Sequence, residues 1–252
     1  MSDPRAAIST AFLDAAGPIV LVNLPYRADR RQEFAGQLQG LGLSYDHPKV
    51  KVFAAIRPET AEGFPTIGTR GCFLSHLGIL RQALANGWDR VLICEDDLDF
   101  ADDALARLPG ITAHLAGSDW AMFYGGYGDA VSGTEVAPGL VKLDPASGVS
   151  CTHFYAIRGP AIADLVRYLD SMLAREPGHP DGGPMHYDGA LCWFRKAHPQ
   201  HMTLAAVPPI GVQRPSRTDI HDLRWFDRWP GFRSLTSLAR KVVGARRGTS
   251  RT

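Results

Sequence analysis

Cysteine is scarce in this sequence and nowhere paired. Cys72, Cys94, Cys151 and Cys192 are the whole complement of a 252-residue chain. None forms a CxxC pair and all are widely spaced among apolar residues, which argues against disulfides and against zinc. Buried free thiols in a reducing cytoplasm are expected instead. Long apolar runs are also missing: nothing approaches the roughly 20 residues that a membrane-spanning helix needs. Met1 to Gly17 lacks a basic start followed by an apolar core, so no secretion signal is expected. There is no internal repeat and no Pro/Gly/Ser-rich linker. One large domain over residues 1–220 with a short tail, 221–252, is the simplest division.

Net charge is nearly absent, at +1, but it is unevenly spread. From Arg214 onward ten Lys and Arg stand against three Asp, so the preceding chain is net acidic. The basic tail also carries Trp225, Phe226, Trp229 and Phe232. Two readings follow. The aromatics enter a lipid interface while the arginines meet anionic headgroups, giving peripheral contact at the inner face of the membrane. Alternatively, they pack back on the domain. No nucleic-acid partner is expected.

What the sequence does contain is centred on Val91-Leu92-Ile93-Cys94-Glu95-Asp96-Asp97-Leu98-Asp99. Four apolar residues leading into acids read as a strand buried on both faces of a parallel sheet. Ligands sit beyond the carboxyl ends of such strands, where these acids lie. If the extended backbone persists, Glu95 and Asp97 project to one side and Asp96 to the other. Two such carboxylates suit a hard divalent cation, with water and a substrate phosphate completing its shell. The plainer alternative is a solvated loop with Asp102 or Asp103 capping the next helix.

Ile19 to Leu24 predicts another buried strand. Asp29 is placed to cap a helix, with Gln32 completing a capping box. Arg30 and Arg31 then fall in the first helical turn, where the helix dipole disfavours cations. Either an anion docks there, with Arg27 contributing, or the arginines pair with nearby acids or water. Val50 to Ala55 predicts a strand, Thr66 to Gly71 a loop and Cys72 to Asn86 a helix bearing Ser75 and His76 near its start. A helix over Asp102 to Leu115 and a strand over Trp120 to Tyr124 precede a flexible Gly125-Gly126-Tyr127-Gly128. Leu140 to Leu143 and Cys151 to Arg158 predict strands, the latter placing His153 and Tyr155 on one side. Gly159-Pro160 opens a helix. Glu176 to Tyr187 reads as a loop able to act as a lid. Asp188 stands before a short helix, Gly189 to Ala197, and Leu204 to Val207 is a last strand. The alternation predicts an α/β domain with a mostly parallel sheet and helices on both faces.

Three stretches together resemble glycosyltransferase family 25, the family of bacterial lipopolysaccharide galactosyltransferases and collagen galactosyltransferase domains. Val22 to Arg30 is similar to its N-L-x-x-R-x-D-R opening, Gly71 to His76 to its G-C-x-x-S-H helix start, and Ile93 to Asp97 to its acid motif. Weaker similarity runs through Thr152 to Tyr155, Asp188 and Gln213 to Ile220, so coverage is residues 18–220. Thr69-Arg70 departs from the family, where many relatives carry an acid before the G-C pair. Asp181 to Met185 has no clear counterpart.

The resemblance implies a GT-A-like single domain and an inverting transferase that uses a UDP-sugar donor with Mn²⁺ or Mg²⁺. A galactose-like sugar would pass to a saccharide or lipid-linked glycan in cell-surface polysaccharide or lipopolysaccharide biosynthesis. Glu95 and Asp97 would hold the metal. Asn23, Leu24, Arg27, Arg30, Ser75 and Asp96 would line the donor site. Asp188 is the expected general base, with His153 and His76 next in order. A metal-dependent nucleotidyltransferase or phosphohydrolase would use the same acids and arginines, and a non-catalytic nucleotide-sugar binder remains a third reading.

Overall fold

The structure, a computed structural model, describes residues 3–214. The aromatic and basic tail therefore lies outside the described residues. In chain order the elements are α1 (Pro4–Ala16), β1 (Ile19–Asn23), α2 (Ala28–Gly40), β2 (Val50–Ala54), α3 (Ile67–Ala85), β3 (Arg90–Glu95), β4 (Leu98–Phe100) and α4 (Ala104–Gly117). There follow β5 (Met122–Gly126), β6 (Gly133–Ala137), β7 (Leu140–Leu143), β8 (Phe154–Arg158), α5 (Pro160–Leu173), α6 (Tyr187–Ala197), β9 (Thr203–Ala206) and β10 (Gly211–Gln213).

Eight strands form one sheet in the order β2-β1-β3-β8-β5-β9-β7-β6. All run the same way except β8 and β7, so the expected α/β domain with a mostly parallel sheet is present. The reversal of β8 decides where chemistry can occur. Cys94 of β3 pairs with Phe154 of β8, which sets the amino end of β8 beside the carboxyl end of β3. Glu95 N–H donates to the His153 carbonyl across that junction at 2.9 Å. Residues 152 and 153 thus meet the acids without any loop having to fold over them.

Strand periodicity explains the unbroken apolar runs. Val91 and Ile93 enter one core, while Leu92 and Cys94 enter the other. The first core is completed by Phe73, Leu77 and Leu80 of α3, Ile162 and Leu165 of α5, and Leu191 and Phe194 of α6. The second is completed by Phe12 and Leu13 of α1, Phe34 and Leu38 of α2, and Leu108, Ile111 and Leu115 of α4. Helices therefore cover both faces, and each fully buried Leu or Phe contributes about 1.5–3 kcal/mol.

Several local expectations are corrected. Helix α1 has no counterpart in the sequence reading. It starts because the Asp3 carboxylate caps Arg5 N–H while Pro4 supplies a preset first turn. Thr66 to Gly71 is not a loop. Thr66 Oγ1 accepts from Thr69 N–H at 3.0 Å and opens α3 one turn early. Asp29 is not the cap of α2. It lies inside the first turn, where the helix dipole favours an acid, and it pairs with Arg27 at 2.9 Å.

Gly125 and Gly126 are not a flexible segment but the buried end of β5. A Cβ on Gly126 would stand 2.4 Å from His153 Nε2, and one on Gly125 would stand 2.3 Å from the Phe154 ring. Close approach, not mobility, requires these glycines. Among the described residues, no helix is long and apolar enough to cross a membrane.

Candidate functional site

Extended backbone ends at Glu95, and Asp96 and Asp97 form a tight turn into β4. The strand-side alternation expected for Glu95 and Asp97 therefore does not apply. Instead the three consecutive acids face three different sets of partners.

Asp96 faces the opening motif. Its Oδ2 accepts from Asn23 Nδ2 and its Oδ1 from an Arg30 guanidinium nitrogen, each at 2.8 Å. All three residues are buried. Arg30 was expected either to bind an anion or to pair with an acid. It pairs with this one, and lies 3.8 Å from Asp97. Asn23 Nδ2 also donates to the Arg27 carbonyl at 3.1 Å, closing the β1–α2 turn. Leu24 sits half-buried in that turn, its carbonyl accepting from Arg27 N–H at 2.8 Å. Burial still raises the Asp96 carboxyl above its ordinary value, against the pull of Arg30 and Asn23.

Glu95 faces α3. Its Oε1 accepts from Thr152 Oγ1 at 3.2 Å and lies 3.6 Å from His76 Nε2. Burial pushes the Glu95 carboxyl up, but His76, His153 and Thr152 together hold it below its ordinary value. His76 is fixed from behind. Its Nδ1 meets Tyr155 OH at 3.1 Å, and its ring stacks on Tyr187 at 4.3 Å and on Tyr155 at 5.7 Å. Tyr155 and Tyr187 share a hydroxyl hydrogen bond of 2.9 Å.

The G-C-x-x-S-H stretch also has a packing explanation. Ser75 Oγ accepts from Ile56 N–H at 2.8 Å and donates to the Gly71 carbonyl at 2.6 Å. A Cβ on Gly71 would lie 2.6 Å from the Ile56 carbonyl oxygen. Glycine and serine together clamp the chain leaving β2 against α3. The hydroxyl of Ser75, expected at the donor site, is engaged in that clamp.

Asp97 is the acid with something left over. Its Oδ2 accepts from Gln213 Nε2 at 3.2 Å, and its carbonyl accepts from Arg214 N–H at 2.7 Å. Its Oδ1 is buried with no hydrogen-bond partner among the described residues. Burial first, and then the charge of Glu95, push this carboxyl up to about 7. An ionised buried carboxylate with an unpartnered oxygen, under the charge of a second carboxylate, is costly unless a proton or a cation sits with it. Oxygen donors of this kind fit Mg²⁺ or Mn²⁺, so the residues present suit the expected metal.

Asp188 lies half-buried in the first turn of α6, whose cap is His186. It accepts from Cys151 N–H at 3.1 Å and from Gly189 N–H at 2.7 Å. Cys151 holds φ at 63°, a left-handed conformation uncommon outside glycine, and the Asp188 carboxylate secures it. Asp188 thus ties α6 to the segment entering β8. His153 is fully buried, with Nε2 3.4 Å from the Gly211 carbonyl and Nδ1 without a partner among the described residues. Burial lowers its pKa, so the ring is neutral near pH 7.

The structure thus brings Glu95, Asp97, His76 and His153 to the junction of β3 and β8. Asp188 stands close enough to act electrostatically, with Glu95 and Asp97, on the Cys72 thiol. Arg27 pairs with Asp29. Sequence reasoning missed the Tyr155–Tyr187 cradle of His76, the grip of Gln213 on Asp97 and the place of Cys72 beside Glu95. Only the last had a local signal, since Cys72 and His76 lie four apart and so share one helical face.

No protein-family model matches the chain and no curated protein matches it by sequence, so no family match supports glycosyltransferase family 25 specifically. Similar solved structures exist. One is a glycosyltransferase involved in glycosylation of the major capsid of PBCV-1, at 10% identity and TM-score 0.47, covering 79% of this chain and 93% of that one. A mannose-1-phosphate geranyltransferase from Thermus thermophilus has 12% identity and TM-score 0.37, covering 84% of this chain and 64% of that one. A nucleoside-diphosphate-sugar pyrophosphorylase from Vibrio cholerae has 15% identity and TM-score 0.35, covering 83% and 78% respectively. At these scores the likeness concerns general fold only.

Proposed function

We propose that this chain is a metal-dependent inverting glycosyltransferase. It moves a sugar from a UDP-linked donor to a hydroxyl of a saccharide or lipid-linked glycan acceptor, in the building of cell-surface polysaccharide. One observation carries the reading: the buried Asp97 carboxylate, with an oxygen unpartnered among the described residues, feels the charge of Glu95 in the region where three stretches resembling motifs of a nucleotide-sugar enzyme family meet.

Glu95 and Asp97 would hold Mn²⁺ or Mg²⁺. When bound, such an ion neutralises charge on a departing diphosphate. The surrounding residues orient those two carboxylates. His76 and Thr152 aim Glu95, and Gln213 aims Asp97. Asp96, engaged by Asn23 and Arg30, anchors the turn itself.

Asp188 is the proposed base. It takes the proton of the acceptor hydroxyl as that oxygen bonds to the anomeric carbon and the carbon–oxygen bond to the diphosphate breaks. The two backbone N–H groups that fix its carboxylate leave lone pairs for this task. His153, neutral and with an open Nδ1, is the next candidate.

The test is a thermal-shift screen of nucleotide sugars with and without Mn²⁺. A UDP-sugar is expected to raise the melting temperature only with the metal, and not in Asp97→Ala. No shift with any diphosphate sugar would overturn the reading. Product analysis then separates the chemistry. Intact UDP released only when acceptor is present supports attack at the sugar carbon. Pyrophosphate or UMP release would instead assign a nucleotidyltransferase or phosphohydrolase.

A further inference from the structure

Glu95 has a second set of neighbours, of which the proposed reaction uses only His76, and only to aim Glu95. Cys72 and His76 lie one helical turn apart near the start of α3, and Glu95 reaches them from the end of β3. One ligand atom from each of the three lies within 4.8 Å of the others. A tetrahedral zinc-type ion, with bonds of about 2.0–2.3 Å, holds its ligands roughly 3.3–3.8 Å apart. His76 Nε2 and Glu95 Oε1, at 3.6 Å, already stand at such a separation.

The imidazole is prepared in the manner of a metal ligand. A ligating histidine ordinarily engages its other ring nitrogen in a hydrogen bond, which sets tautomer and orientation. Here Nδ1 is held by Tyr155 OH, and the ring is held flat by Tyr155 and Tyr187. Nε2 is thereby presented to Glu95. Burial first, and then the charges of Glu95, Asp188 and Asp97, push the Cys72 thiol up, so the ion must displace its proton.

The geometry points to a second cation site: Cys72 Sγ, His76 Nε2 and the Glu95 carboxylate bind one thiophilic divalent ion, of the Zn²⁺ or Co²⁺ class, leaving a fourth position open. Its donor set of sulfur, nitrogen and oxygen differs from the oxygen donors of Glu95 and Asp97. Hard ions prefer the latter, and borderline-soft ions prefer the thiolate site. Glu95 belongs to both sites, so a thiophilic ion removes it from the Asp97 side. The thiol proton leaves to solvent as the metal–sulfur bond forms.

The probe is Co²⁺, titrated into the reduced, metal-stripped full-length protein. One equivalent is expected to give thiolate-to-cobalt charge-transfer absorption and the intense visible bands of tetrahedral cobalt, both erased by Zn²⁺. Cys72→Ser should lose the charge-transfer band, His76→Gln should weaken binding by at least about 10-fold, and Cys151→Ser should retain the band. Absence of the band in the parent protein, or its persistence in Cys72→Ser, would overturn the proposal.

Alkylation supplies a measurement free of any folding defect in the variants. Zn²⁺ should slow iodoacetamide modification of Cys72 in the unaltered protein, as mapped on peptides. Equal rates with and without Zn²⁺ would count against the site. None of these readouts needs a sugar donor. Asp97→Asn, expected to destroy glycosyl transfer, should keep the cobalt spectrum, so the two proposals fail separately.

Discussion

Asp96 and Asp97 are adjacent, both are buried and both occupy one tight turn, yet their carboxylates are partnered differently. On the Asp96 side every carboxylate oxygen has a partner, and a buried arginine balances the charge. On the Asp97 side one oxygen is unpartnered among the described residues, Arg30 stands 3.8 Å away, and burial and the charge of Glu95 outweigh it. The first environment is that of a fold-stabilising ion pair. The second is the environment that the proposed metal role of Asp97 requires. A run of acids is therefore not one feature, and the partners of each member decide its role.

The comparison breaks most readily at Glu95 and Asp97. Asp97→Ala or Glu95→Ala should reduce sugar transfer by at least about 10³-fold, as expected when charge stabilisation at a leaving group is removed. Circular dichroism of Asp97→Ala should stay native. Near-normal turnover in either variant would remove that residue from the metal assignment.

Asp188→Asn should lower transfer by about 10² to 10⁴-fold while donor binding, measured by calorimetry, is unchanged. A parallel loss of donor affinity would show that Asp188 serves the donor or the fold rather than the acceptor proton.

On the other side of the turn, Asp96→Ala should cost about 3–5 kcal/mol of stability, because Arg30 is left buried without its main counter-charge. Arg30→Ala should destabilise similarly, in contrast to the neutral outcome expected for an arginine that only awaits an anion. Denaturant unfolding of the two variants and the double mutant would measure the coupling. Additive losses would mean that the pair is not the source of stability.

The smallest effect is one of pH. The Asp97 carboxyl is raised from 3.8 to about 7. A raised acid binds its proton more tightly in the folded protein, so its contribution is fully present below about pH 4. That contribution is lost as pH climbs toward 7. In metal-free protein, Asp97→Asn should flatten this decline, and Mn²⁺ should offset it in the parent. Parallel melting curves for parent and variant across that range would contradict the burial argument.

Much of the frame was legible in the sequence. Ile19 to Asn23 and Val91 to Cys94 announce strands buried on both faces, because each residue meets one core or the other. The direction of β8 was not legible, since Phe154 to Arg158 has the same apolar character read either way. Helix α1 was missed because its apolar residues are mostly alanines that mark no clear helical face, and its start depends on a capping contact from Asp3. Glu95, Asp97 and Asp188 stand out as candidates by residue type and place along the chain. Their partners were not: Arg30 with Asp96 and Gln213 with Asp97 are contacts across 66 and 116 residues, which no local pattern encodes. The glycines at 125 and 126 resemble a flexible loop in sequence, because a requirement for space and a requirement for freedom select the same residue.

The bracing of the acid turn by β10 has a consequence for the order in which the protein matures. Strands β1, β2 and β3 can pair as soon as residue 95 is synthesised. The turn that follows gains Gln213, Arg214 and the β4 ladder only when the chain has been made as far as residue 214. Arg214 then joins Asp99 and Glu33 in one ionic cluster. A nascent or prematurely terminated chain ending before residue 211 would carry the acids without the contacts that position Asp97. On the proposed function, the metal site would be complete only in a chain that reaches residue 214.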